Sequence, residues 1–137
     1  MLNWKAILIG AAVDFIGTIF VIMIFGHLWG GALQLGGLSG DSARDATAND
    51  PLFLAISMTI GWYFDYLAGK VAASIAGNNG PLHGVAAATP GVVLVLVDIF
   101  LSSGPQPIPA WFIIFSCGVS IGCAYYGGGK ARVIKNP

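Results

Sequence analysis

Apolar residues are not spread evenly along this chain. They gather into four long stretches separated by short polar breaks, running from about Trp4 to Trp29, Pro51 to Ala76, Leu82 to Ser102 and Pro107 to Tyr126. Each reaches the roughly 20 residues a helix needs to cross a bilayer. Pro51, Pro81 and Pro107 stand where helices would begin, a position that tolerates a missing N–H. Trp4, Trp29, Trp111 and the Tyr125–Tyr126 pair lie near span ends, as interfacial aromatics do. The breaks are unequal. Residues 30–50 form the one sizeable loop, with one or two short helical turns expected within 39–48, whereas Gly77 to Pro81 and Ser103 to Pro107 read as tight connections. Short connections make spans two, three and four antiparallel neighbours. The pattern predicts an all-α integral membrane protein, a single four-helix domain over residues 1–137.

Composition agrees. Of 137 residues, 56% are hydrophobic and 9% charged, against about 25% charged in ordinary soluble domains. Six basic and six acidic side chains cannot clothe a soluble globule of this size. With no net charge, a nucleic-acid partner is not expected; the lipid bilayer is. The first span is longer than the apolar core of a signal peptide and carries Asp14, so an uncleaved helix is expected. Lys5, Lys70, Lys130, Arg132 and Lys135 fall on one side of the four spans and Arg44 alone on the other. That asymmetry predicts cytoplasmic termini, with the 30–50 loop facing outward.

Helices pack in lipid through small residues. Steps of three and four place Gly10, Asp14 and Gly17 on one face of the first span. The same steps place Gly61, Asp65 and Gly69 on one face of the second, and Gly84, Gly91 and Asp98 on one face of the third. All six glycines are expected to be helix-packing positions. Three small faces therefore carry an aspartate, and Asp14, Asp65 and Asp98 are the candidate proton or cation sites. Ionisable residues within a span cost several kcal/mol and are functional hypotheses by default. Asp14 and Asp65 fall at similar depth near mid-span. In low dielectric two carboxylates do not both ionise, so they share a proton or hold a cation. The bland alternative has each aspartate hydrogen-bonding a neighbouring helix to set its geometry. Pro90 interrupts the third span and frees the carbonyl of Ala86, a feature some transporters use to present backbone oxygens to ions.

The remaining chemistry is thin. His27 and His83 lie near span ends and read as tolerated interfacial polarity, with a pH sensor as the sharper alternative. Cys117 and Cys123 are about 240° apart on a helix and read as small packing residues. Asp41, Asp45 and Asp50 match no calcium-loop spacing and read as a solvated surface. Gly127 to Gly129 looks like a flexible exit into a basic tail. No catalytic constellation, metal set or cofactor motif is visible.

Over residues 68–84, a glycine- and alanine-rich helix end leads through Gly77-Asn78-Asn79-Gly80-Pro81 into Leu82-His83-Gly84. This hairpin resembles one found in small bacterial four-helix inner-membrane proteins of unassigned function. The likeness implies a multi-pass protein of the bacterial inner membrane and no particular activity. Ala11-Ala12-Val13-Asp14-Phe15-Ile16-Gly17-Thr18 is similar to the first span of small multidrug-resistance transporters. That family carries glutamate at the position of Asp14, where it binds either protons or a cationic substrate. The first expectation is a non-enzymatic structural or accessory subunit that packs through its Gly/Ala faces against itself or a larger membrane partner. The alternative is a small oligomeric transporter or channel, coupled to protons or cations through Asp14 and Asp65.

Overall fold

A computed structural model describes residues 2–101 and 109–131. It is built from five helices: α1 (Trp4–Leu35), α2 (Gly40–Asn49), α3 (Pro51–Ala76), α4 (Gly80–Leu101) and α5 (Ala110–Gly129). All but α2 are long and apolar enough to cross a membrane.

The helix ends depart from expectation where glycine was read as a breaker. The first span was expected to stop at Trp29, but α1 continues to Leu35. Gly30 and Gly31 each cost about 1 kcal/mol relative to alanine, too little to end a helix that Ala32, Leu33, Gln34 and Leu35 extend. The chain turns only at Gly37, whose φ of 101° suits glycine. At about 1.5 Å per residue, 32 residues give a rod of about 48 Å, longer than the roughly 30 Å hydrocarbon core. Its far end carries α2, a ten-residue helix rather than a turn or two, started by the Ser39 hydroxyl accepting from the Ser42 N–H.

Asp50 opens α3. Its carboxylate accepts from the N–H groups of Leu52 and Phe53, and its second oxygen accepts from the Trp29 indole at 3.2 Å. Expected to belong to a solvated loop, it is instead a cap that ties α1 to α3 beside the stacked rings of Phe25 and Phe53. Gly77 closes α3 in the left-handed conformation. Helix α4 begins at Gly80, two residues before the expected Leu82, and runs unbroken through Pro90 rather than being interrupted there. The expected tight connection 103–107 lies outside the described residues. Gly127 to Gly129 is not a flexible exit but the last turn of α5. A Cβ on Gly127 would strike the Tyr66 carbonyl, and one on Gly128 the Gly80 carbonyl. The glycines are there because two backbones pass in contact.

Helix α3 packs on α1, α4 and α5, and α4 packs on α1 and α5. The interior is inverted relative to a soluble protein. Ala6, Ala68, Ala72, Ala87, Ala88 and Ala124 are buried, while Leu8, Ile16, Phe20 and Trp111 face outward. Lipid tails solvate large apolar groups as well as a core does, so backbone proximity sets the contacts. Gly69 of α3 and Gly84 of α4 both lie under the Ala124 carbonyl of α5, and Gly10 of α1 fits against Ala68, Ala72 and Ala87. These contacts crowd toward one end, where α1 begins, α5 ends and α3 turns into α4. We call it the turn end and the opposite one the α2 end.

Candidate functional site

Above the glycine and alanine contacts, toward the α2 end, the four long helices separate around a cavity of about 420 Å³. Asp14, Asp65, Gly91 and Ser120 form its floor, one residue from each of α1, α3, α4 and α5. Asp14 lies ten residues from the start of α1 and Asp65 eleven from the end of α3. At about 1.5 Å per residue both stand about 15–16 Å from the turn end, half the thickness of a hydrocarbon core. Ile19, Gly61, Val95 and Ile113 lie about 7–9 Å higher on the same walls.

The gap has a local cause. Gly61 lies on the same face of α3 as Gly69, yet a Cβ at Gly61 would meet nothing within 4 Å. Its expected packing role is therefore corrected: it contributes empty space. Gly91 also faces the cavity, and a Cβ there would come within 3.4 Å of Asp14 Oδ2. Gly17 lies against the ring of Phe64, which closes α1 onto α3 beside Asp14. The Trp62 indole donates to Ser116 Oγ at 3.1 Å and holds α5 to α3 at the rim.

Both aspartates are buried as residues, and both line this one cavity. The Thr18 hydroxyl, one turn along α1, donates to Asp14 Oδ1 at 3.3 Å. The Ser120 hydroxyl of α5 neighbours Asp65. No Lys, Arg or His is among the lining residues. Lys70 is exposed on α3. Two carboxylates thus share an apolar chamber without a basic partner. A bare carboxylate is costly to bury unless a proton, a cation or water stands beside it. Among the described residues no three His, Cys, Asp or Glu side chains come together as a metal set. Asp98 belongs to α4, and its side chain lies outside the described residues.

Sequence reasoning missed three participants in the cavity, Thr18, Ser120 and Cys117, and, outside it, misplaced His83. Thr18 is a one-turn neighbour of Asp14 and was readable as such. Cys117 lines the cavity, whereas it was expected to be packing. His83 is the largest correction. Expected to be interfacial, its side chain is fully enclosed. Its Nε2 accepts from the Asn3 N–H at 2.8 Å, while Nδ1 lies 3.1 Å from the Asn79 carbonyl. An N–H can only donate and a carbonyl can only accept, so the ring is neutral with its proton on Nδ1. His27 is exposed and bonds the Met23 carbonyl of its own helix.

Compared with protein-family models, curated proteins and solved structures, the chain matches none.

Proposed function

We propose that this chain is a small multi-pass membrane protein that loads a proton or a cation onto a shared Asp14–Asp65 site and moves it across the bilayer. The observation that carries this reading is the placement of both carboxylates on the floor of one cavity with no base among its lining residues. Asp14 takes its hydrogen bond from Thr18 of its own helix, whereas Asp65 of α3 accepts from Ser120 of α5, so only Asp65 also joins two helices. The accessory-subunit reading relied on small faces left open for partners. Gly10, Gly69, Gly84, Gly127 and Gly128 meet atoms of this chain's own helices, whereas Gly118 and Gly122 of α5 stay open and exposed, a small face that suits packing against another copy or partner in either reading. The basic residues favour cytoplasmic termini and hence a cavity on the external side, in a cell membrane of bacterial inner-membrane type. The chain performs no covalent chemistry in this reading. Four spans make a thin wall for a translocation path, so it works as a homo-oligomer.

The test is proton flux in vesicles. Purified protein is reconstituted with a pH-sensitive dye inside, and a potassium diffusion potential drives ions inward. Loaded vesicles acidify faster than empty ones. Asp14→Asn and Asp65→Asn each return the rate to that of empty vesicles while eluting from a sizing column like the parent. A double Asn variant with undiminished flux would overturn the proposal.

A further inference from the structure

We infer that the turn end holds the phosphate of an anionic glycerophospholipid, in a cleft between α3, the α3–α4 turn and the end of α5. The inference uses no part of the acid site and stands or falls apart from it. Two lysines, a tyrosine pair and a second cavity carry it. Tyr66 of α3 and Tyr126 of α5 lie with ring centroids 6.2 Å apart. Lys130, one turn beyond Tyr126, sets its Nζ 5.4 Å from that ring's centroid, a cation–π distance. Lys70 lies one turn beyond Tyr66 on α3. Both lysines are exposed. Ala73, three residues beyond Lys70, and Gly129 and Ala131, on either side of Lys130, line a cavity of about 280 Å³ with Asn78, Asn79 and Gly80. A Cβ on Gly129 would meet nothing nearer than Pro81 Cγ at 3.9 Å, so the space beside it is open.

Charge fixes the sign of the occupant. The six acids of the chain lie at the Asp14–Asp65 level or farther toward the α2 end. Among the described residues no carboxylate at the turn end neutralises Lys70 and Lys130, and Lys5 adds a third base to that end. Depth fixes the class. Lys70 stands six residues before the end of α3, about 9 Å along the helix. An ammonium there rises along its own stem to the headgroup layer rather than into bulk water. The anion fixed at that level is a lipid phosphate. Tyrosine rings favour the same boundary, with the ring toward the acyl chains and the hydroxyl toward the headgroups. Basic pockets between spans hold anionic headgroups in this way.

The test is lipid retention by the purified protein, read by mass spectrometry of the intact complex released from neutral detergent micelles. Dioleoyl phosphatidylglycerol, dioleoyl phosphatidylcholine and glycerol phosphate are titrated separately. Each chain holds a single phosphatidylglycerol, holds phosphatidylcholine several-fold more weakly, and does not hold glycerol phosphate. Lys70→Gln and Lys130→Gln each weaken retention of phosphatidylglycerol about fivefold, and the double substitution about 25-fold. Circular dichroism of these variants matches the parent, because both side chains are exposed. Arg44→Gln, in α2, leaves retention unchanged. Gly129→Leu lowers it with both lysines present, because the new side chain enters the open space. Equal retention of phosphatidylcholine overturns the anionic class. Glycerol phosphate held as tightly as the lipid makes the occupant a soluble phosphate ester and overturns the lipid source. A double lysine variant that holds phosphatidylglycerol like the parent overturns the site, as does an Arg44→Gln loss equal to that of the lysine variants. Full retention in Gly129→Leu refutes the cavity as the seat of the phosphate.

Discussion

Replacing His83 by alanine removes a side chain that joins the first turn of α1 to the turn between α3 and α4. The ring accepts from the Asn3 N–H and donates to the Asn79 carbonyl. Asn3 in turn caps α1 by accepting from the Ala6 N–H at 3.2 Å. Two neutral hydrogen bonds contribute about 0.5–1.5 kcal/mol each. The Asn79 carbonyl keeps its bond from the residue-83 backbone N–H and Asn3 is exposed, so little further penalty is added. The vacated volume matters more, because large-to-small changes at enclosed sites cost about 2–5 kcal/mol. The two losses overlap, and His83→Ala is expected to destabilise by about 3–4 kcal/mol. His83→Phe refills the space without the nitrogens and should cost about 1–2 kcal/mol. The assay is reversible unfolding in mixed micelles with rising dodecyl sulfate, read by circular dichroism. If the Ala variant unfolds within about 1 kcal/mol of the parent, the ring is not what holds α1 down. If Phe costs as much as Ala, the hydrogen bonds outweigh the filled volume and the ranking of the two effects is refuted.

Three other substitutions separate contact from space. Gly69→Val drives side-chain atoms into the Ala124 backbone. It should cost about 1–3 kcal/mol as overpacking, seen as loss of the monodisperse fraction on purification. Gly61→Leu, eight residues away on the same helix, enters open space; it should purify like the parent yet lose proton flux because the cavity is filled. Ser57 Oγ is buried without a hydrogen-bond partner among the described residues. Ser57→Ala should therefore leave micellar unfolding unchanged or raise stability by up to about 1 kcal/mol.

The glycine pair on α3 shows how far the sequence could be read. Gly61 and Gly69 sit on one helical face, and both read as packing positions. One lies under a neighbouring backbone and the other beside a void. The face is a local property, set by 3.6 residues per turn. Whether a missing Cβ is filled depends on the distance to the next helix, which the chain's own pattern does not contain. Gly127 to Gly129 misled in the same sense: glycine as a breaker and glycine as a point of close approach look alike until the neighbouring backbone, here Tyr66 and Gly80, is in place.

By itself the sequence determined the four spans, the small stripe on each, and the equal depth of Asp14 and Asp65. These follow from helix rise, helical period and the cost of polar groups in lipid, all of which act along one chain. The tertiary structure alone decided that the two aspartates meet at one cavity rather than on separate interfaces. It also decided that His83 is enclosed. Each of these is set by how far apart two helices lie, and that distance comes from the bulk of side chains facing one another across the gap.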